Sequence, residues 1–308
     1  MILITGASGL LGASVVAFAA QRGLEVVGIY NRHSVHLGGA RFAAADLTKP
    51  EEVERIFEEF RPSAVIHCAA ETNVDWCEGH AAEARVLNVA ASAAIAGVAA
   101  RNAAHFLYVS TDSVFDGTRG DYAETDQPAP PNVYAQTKLE GEQAVLARHD
   151  SGAVARVNLY GWNVQKKQSL AEWIFEQLRS GKTVPGFTDV VFCPILANDL
   201  AEILLVMTEK RLAGIFHVVG SEAVSKYEFA RRVARAFDFD PAKVVPTQIA
   251  DAKLRATRPR NTTLNTGKIC QVLGRSMPDV DSGLRRFAQM WRDGFVERIR
   301  GQLTGVRE

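Results

Sequence analysis

Residues 1–12 read Met1-Ile2-Leu3-Ile4-Thr5-Gly6-Ala7-Ser8-Gly9-Leu10-Leu11-Gly12, and this stretch decides the fold. Met1–Ile4 is a short apolar run of the kind that forms a fully buried strand. From Leu10 to about Gln21 the period becomes helical, with Leu11, Val15, Val16 and Phe18 set among small alanines. The order is strand, glycine loop, helix. The first glycine lets the chain reverse, the second lets backbone approach a ligand, and the third lets helix and strand pack closely. The helix start then offers free N–H groups and partial positive charge to a pyrophosphate. Gly6, Gly9 and Gly12 follow a G-x-x-G-x-x-G spacing, and Ser8, Leu10 and Leu11 lie on the same turn.

Working outward, strand-like and helix-like runs alternate. Glu25–Tyr30 is a second strand, ending at Asn31-Arg32. An acidic residue at that strand end would hold the free ribose hydroxyls of NAD, whereas arginine accommodates a 2′-phosphate. Asn31 and Arg32 stand there, and the next carboxylate is Asp46, so NADP(H) is favoured, with NAD(H) the alternative. Arg41–Ala45 is a third strand closing on Asp46-Leu47. Thr48-x-x-Glu51 with Pro50 reads as a capping box opening a helix. Ala64–Cys68 is a fourth strand, followed by Ala69-Ala70, small enough to pack on a flat cofactor. A polar stretch containing Thr72 precedes a long alanine-rich helix to about Asn102, on which Asn88 is a lone polar residue that could face the cofactor.

The fifth strand, Phe106–Val109, ends in Ser110-Thr111-Asp112-Ser113. Ligands of doubly wound sheets bind beyond the carboxyl ends of the strands, so these hydroxyls are candidates for function. Tyr134 and Lys138 stand four apart on the next helix and share a face. A phenol with a pKa of about 10 is a poor proton donor or acceptor at neutral pH. A nearby ammonium and an oxidised nicotinamide would both favour the phenolate. Thr111, with Ser110 beside it, could hydrogen-bond a substrate carbonyl while Tyr134 moves the proton and Lys138 holds the cofactor ribose.

Beyond Val154–Gly161, a sixth strand running into a loop, the alternation loosens. Ser169-x-x-Glu172 and Ser225-x-x-Glu228 cap helices, Ile215–Val219 is a strand, Pro185–Pro194 is irregular, and 284–300 reads as one amphipathic helix. The expected fold is α/β: a Rossmann-type doubly wound parallel sheet with a smaller C-terminal substrate-binding lobe. Residues 1–160 form the dinucleotide-binding domain, to which the chain returns around 190–220; residues 161–308 are mainly the substrate lobe.

At 308 residues there is ample length for such a core. Lys and Arg number 35, as do Asp and Glu, so no basic excess suggests nucleic acid or an anionic membrane. No apolar run reads as a membrane span, and a strand at the first residue leaves no room for a signal peptide. Cys68, Cys77, Cys193 and Cys270 lack C-x-x-C spacing and read as free thiols of a reducing, cytoplasmic compartment; no metal site is expected. His67 and His217, in strands, read as buried and satisfied.

The segments G-A-S-G-L-L-G, V-S-T-D-S-V-F-D-G and N-V-Y-A-Q-T-K-L-E-G-E together resemble the extended short-chain dehydrogenase/reductase superfamily, and within it the dTDP-4-dehydrorhamnose reductase group. The likeness runs nearly the whole chain, through Gly214–Gly220, Ser225–Ala230 and Arg258–Asn265. It implies an NADPH-dependent reductase of a nucleotide-linked keto-sugar in carbohydrate biosynthesis, such as dTDP-4-keto-L-rhamnose to dTDP-L-rhamnose. Thr111, Tyr134 and Lys138 would be its catalytic triad. Gly6, Gly9, Leu11, Arg32, Asp46, Leu47, Ala69 and Ala70 would line the cofactor, joined in our reading by Ser8, Leu10, Gly12, Asn31, Cys68, Asn88 and Ser110. Residues matching Thr72, Asn158 and Arg258 would lie near the substrate. The family often forms dimers, so a homodimer is the expected partner arrangement.

Departures matter. Sister dehydratases carry T-D-E where this chain has Thr111-Asp112-Ser113, so the glutamate of water elimination is missing. Reductases of the rhamnose pathway usually have an aromatic at Ser113 and an arginine-threonine-serine-tryptophan run near Arg156-Val157-Asn158-Leu159. Gly186–Pro194 holds no arginine for a diphosphate. Two alternatives stay open. One is a non-catalytic NADP-binding regulatory subunit, a reuse shown by the regulatory subunit of methionine adenosyltransferase, which resembles the group. The other is a nucleotide-sugar epimerase, weakened by Arg32.

Overall fold

The computed structural model describes residues 1–306. Strand β1 (Ile2–Thr5) and helix α1 (Leu10–Gln21) flank the glycine loop. There follow β2 (Val26–Tyr30), β3 (Arg41–Ala44), α2 (Pro50–Phe60), β4 (Ala64–His67), the long helix α3 (Ala81–Arg101), β5 (His105–Thr111), α4 (Val133–Arg148), β6 (Ala153–Val157) and, after an excursion, β7 (Gly214–His217). These strands form one sheet in the order β7-β6-β5-β4-β1-β2-β3, every neighbour parallel. This is the doubly wound Rossmann-type sheet.

The strands read as nearly continuous apolar runs because both faces are covered. On one face α1 packs beside a helix at Ala197–Glu209, joining Val15 and Val16 to Leu200 and Leu204. On the other, Val53, Ile56 and Phe57 of α2 meet Ile95 and Ala96 of α3 and Val145 of α4. Helix α3, at 21 residues and mean hydropathy 1.3, is long and apolar enough to span a bilayer by those measures alone. Its Ile95, Ala96, Val98 and Ala99 instead sit buried against the sheet.

The excursion and the chain beyond β7 supply α5 (Leu170–Arg179), α6 (Ala197–Glu209), α7 (Lys226–Ala236), α8 (Val280–Arg292) and α9 (Phe295–Arg300). Their centre is aromatic. Trp162 stacks on Phe287 at 4.1 Å, donates its indole N–H to the Phe287 carbonyl at 2.9 Å, and meets Phe175 edge-on. This cluster is continuous with the α1 face of the sheet, so the lobe shares its main core with the sheet, and a smaller cluster of Val114, Phe115, Tyr122, Cys193, Val219 and Leu264 lies beside it.

Three local expectations differ from the structure. Thr48 does not cap α2. Its hydroxyl donates to Asp46 at 2.7 Å, and Lys49 stands at the helix start without a side-chain cap. The 284–300 helix is two, because Gly294 adopts the left-handed conformation between α8 and α9. Pro185–Pro194 is not wholly irregular. Val184–Phe187 pairs with Val244–Thr247, and Val191–Phe192 with Val224–Ser225. By contrast Ser169 and Glu172 form the reciprocal capping box on α5, and Ser225 caps α7. A cap of this kind is worth about 1 kcal/mol.

Candidate active site

The glycine loop lies where α1 enters the sheet. Gly6 has φ +64°, and a Cβ there would stand 2.8 Å from the Ala69 nitrogen; one on Gly12 would stand 2.2 Å from the Gly6 carbonyl oxygen. Helix α1 starts at Gly9 with no side-chain cap and no acid in its first turn. Its free N–H groups and positive dipole end therefore remain available to a ligand phosphate.

Two cavities meet at this loop. One, of about 490 Å³, runs to the ends of β5 and β6; the other, of about 340 Å³, runs to the ends of β2 and β3. They share Gly6, Gly9, Cys68, Ala70 and Gln165 as walls. Together they make one elongated groove suited to an extended dinucleotide.

The β2 end is lined by Ser8, Asn31, Arg32, Asp46, Leu47 and Ala69, all expected from sequence. Asn31 and Arg32 are exposed. Asp46 accepts from the Thr48 backbone N–H at 3.0 Å as well as from its hydroxyl. Those bonds, helped by Lys49 and Arg32 nearby, hold its carboxyl below the usual carboxylate range. Leu87, on a π-helical segment of α3 (Val86–Ala91), adds an apolar wall that no local pattern announced.

The β5 end gathers Leu10, Leu11, Gly12, Ser110, Thr111, Tyr134, Lys138, Asn158 and Thr72. Asn132 caps α4 by accepting from the Ala135 N–H at 2.8 Å, donates to the Thr257 carbonyl at 2.8 Å, and so fixes where Tyr134 begins its turn. Lys138 is buried one turn on. Its ammonium donates to the Tyr108 hydroxyl and the Val109 carbonyl, both at 2.8 Å. Burial draws its pKa down to about 7. Behind it, Arg156 of β6 pairs with Glu142 of α4 at 2.7 Å, both 2% exposed, and Ser110 also donates to Glu142. Helix α4 is thereby bolted to two strands.

The acid beside the triad is Asp112, whose role no sequence pattern assigned. Its carboxylate is buried and accepts from Asn158 at 2.6 Å, from the Thr111 and Ser113 hydroxyls at 3.2 Å each, and from Thr262. Burial raises its pKa. A hydroxyl carries one proton, and Thr111 places it on Asp112 while accepting from the Ser113 N–H at 3.2 Å. Burial pushes the Tyr134 phenol above its usual pKa; its hydrogen bond with Thr111 opposes this and the Asp112 charge adds to it. Lys138 is directed at Tyr108 and Val109.

Two expected residues line neither cavity. Asn88 is fully buried, accepts from the Glu71 N–H at 2.9 Å and donates to the Glu71 carbonyl and to Thr137. It anchors the loop after β4 because an inward amide there must satisfy all its polar atoms. Arg258 pairs with Asp75 at 3.0 Å and donates to the Ala256 carbonyl, pinning the 256–258 segment to the 74–77 turn. His67 is satisfied by Thr5 and Ser92, at 2.7 and 3.0 Å, and burial lowers its pKa to about 3. Sequence reading also missed Asn163, Gln165 and Lys167, which line the β5 cavity from the loop before α5.

Comparison with known proteins places this geometry. The family described as RmlD substrate binding domain matches residues 1–292. A probable low-salt glycan biosynthesis reductase of Haloferax volcanii is 32% identical over 294 residues, 94% of this chain and 98% of its own. The methionine adenosyltransferase 2 subunit beta of Xenopus laevis is 36% identical over 276 residues, 87% of this chain and 80% of its own. The crystal structure of dTDP-4-dehydrorhamnose reductase from Bacillus anthracis in complex with NADP superposes with a TM-score of 0.79 at 26% identity, covering 93% of this chain and 97% of that one.

Proposed function

The chain belongs to the RmlD substrate binding domain family, and from that premise we propose that it is an NADPH-dependent reductase of a keto group on a nucleotide-linked sugar. One observation carries the reading: Thr111, Tyr134 and Lys138 stand in a single cavity that is continuous with the glycine loop. The loop and the bare start of α1 would hold the pyrophosphate, and Asn31 and Arg32 the adenosine end. The NADP in the Bacillus anthracis neighbour supports that cofactor. Bound nicotinamide supplies a hydride acceptor or donor. Residues after 160 would hold the sugar nucleotide against it.

The protein's own part is proton management. Tyr134 carries a proton that a reductase would deliver to the carbonyl oxygen; burial and Asp112 raise its pKa, and the positive charge of an oxidised nicotinamide would offset that rise. Positioned acid catalysis of this kind is worth about 10²–10⁴-fold. Thr111 hydrogen-bonds the phenol and orients it, while Asp112 fixes Thr111. Lys138 and Tyr108 continue the polar chain inward and give the phenol a neighbour through which charge can be balanced.

A second reading is favoured by one fact: a relative 36% identical is called a subunit of another enzyme. On that reading the groove binds a dinucleotide and turns nothing over. A panel of 4-keto nucleotide sugars, assayed for NADPH oxidation, separates the two. Consumption with at least one member is expected. Tight NADPH binding with no turnover on any member would move the assignment to the regulatory reading.

A further inference from the structure

The segment between Trp162 and Ser169 crosses the groove where its two cavities join. Its root is rigid. The Asn163 N–H donates to Glu172 at 2.8 Å, and Glu172, fully buried, also accepts from the Ser169 N–H at 2.7 Å and from Arg300 at 3.1 Å. Asn163 then staples the loop internally, donating to the Lys167 carbonyl at 2.6 Å and accepting from the Gln165 N–H at 3.0 Å. Two side chains project from this frame. The Gln165 amide donates to the Ser8 carbonyl at 2.8 Å and hydroxyl at 3.3 Å, so it lies on the glycine loop and lines both cavities. The Lys167 ammonium reaches across the other cavity to the Thr72 hydroxyl at 2.7 Å.

The charge of Lys167 is unused. Lys138 and Lys167 are the cations lining the β5 cavity. Lys138 is buried and committed to Tyr108 and Val109. Lys167 is exposed at the mouth, and its bond is to a neutral hydroxyl; among the described residues no carboxylate lies within ion-pair distance of it. An ammonium has three donors, so two remain for a ligand. Gly186–Pro194 carries no arginine, which leaves Lys167 as the cation on the accessible wall.

We infer that Asn163–Gln168 is a two-headed clasp, in which Gln165 recognises the cofactor diphosphate over the glycine loop and Lys167, with Thr72, recognises an oxyanion carried by the substrate. Because both heads hang on one stapled frame, occupancy of either cavity favours the other. The Lys167 half rests on the nucleotide-sugar reading above; the Gln165 half does not.

The test uses the full chain and NADPH, thymidine diphosphate and UDP-glucuronate as probes, with thermal unfolding to verify that each variant is folded. Gln165→Leu is expected to weaken NADPH about tenfold, the usual scale for losing a ligand hydrogen bond in a formed site. Lys167→Met is expected to weaken thymidine diphosphate about tenfold, leave NADPH alone within about twofold, and be rescued by Lys167→Arg, since what is lost is a charge-assisted bond. If only UDP-glucuronate weakens, the oxyanion read is a carboxylate on the sugar. In the wild type NADPH binds several-fold more tightly with saturating thymidine diphosphate present, and in Lys167→Met that gain disappears. Unchanged affinities for both anions in Lys167→Met, or unchanged NADPH affinity in Gln165→Leu, overturn the clasp while the reductase reading stands. A wild type that binds NADPH and neither anion overturns the nucleotide-sugar reading and the Lys167 half with it, and the Gln165 variant still decides the cofactor half.

Discussion

The two ends of the groove are built on opposite principles. At the β5 end the polar groups behind the cavity are buried and engaged: Asp112 gathers four donors, Lys138 has two acceptors, and Arg156 and Glu142 close the rear. At the β2 end Asn31 and Arg32 are exposed, and Asp46 is tied down by its own neighbour Thr48. Buried polar groups are costly to leave unpaired, whereas exposed charges are screened and individually weak. The contrast teaches that the chemistry is over-determined by the fold, while the choice of cofactor rests on a few groups that substitution could alter without disturbing the core.

That contrast can be broken or sharpened experimentally. The largest effect is expected at Tyr134. Tyr134→Phe should cost about 10²–10⁴ in turnover, the range for a positioned acid, with NADPH affinity within about twofold of wild type. Steady-state rates and a fluorescence titration check this, and undiminished turnover would remove Tyr134 as the proton donor.

Next in size is the bolt behind the site. Arg156→Met leaves Glu142 as a buried charge without its partner and should lower the unfolding free energy by about 3–5 kcal/mol. Pairing it with Glu142→Leu should recover much of the loss. Denaturant titrations of the single and double variants measure both, and a single variant within about 0.5 kcal/mol of wild type would mean the pair holds nothing together.

A smaller signature is expected from Lys138, through pH. Its pKa is about 7 in the folded protein, against an ordinary 10.5. Between those values the unfolded chain binds more protons than the folded one, so this residue's contribution rises with pH through the window and is lost as pH falls from 10.5 towards 7. Below the folded value both states are protonated and the slope vanishes. Stability of wild type relative to Lys138→Met should therefore climb from pH 7 upward. A difference flat across that range would place the ammonium in solvent.

The smallest effect belongs to the open end. Arg32→Ala should narrow the preference for NADPH over NADH by about fivefold or less, and less again at high salt, because an exposed ion pair is worth at most about 1 kcal/mol and is screened. Parallel titrations with the two cofactors measure it. A loss of a hundredfold would show that this end is as firmly built as the other.

Legibility follows the same division. The glycine loop, the alternation of β1 to β6 with their helices, and the shared face of Tyr134 and Lys138 depend on spacings of a few residues. Local periodicity records them, and they could be read directly. Asp112 could not, because its standing comes from Asn158, 46 positions away, and from Thr262. Gln165 and Lys167 looked like loop residues, since their partners Ser8 and Thr72 lie 157 and 95 positions distant. Asn88 and Arg258 line neither cavity, and each makes long-range bonds that pin a loop, which no local pattern records. Thr48 had the letters of a capping box, yet the helix begins one residue later, at Lys49, and the Thr48 hydroxyl donates to Asp46.

By itself, then, the sequence determined the class of fold, the place of the glycine loop and the shared face of Tyr134 and Lys138, because each rests on backbone geometry within one strand-turn-helix unit. Only the tertiary structure decided which acid lies beside Thr111, which loop spans the groove and which polar residues pin loops. Those choices are hydrogen bonds between segments far apart in the chain, and a side chain's partner in the folded state is set by packing that no local pattern encodes.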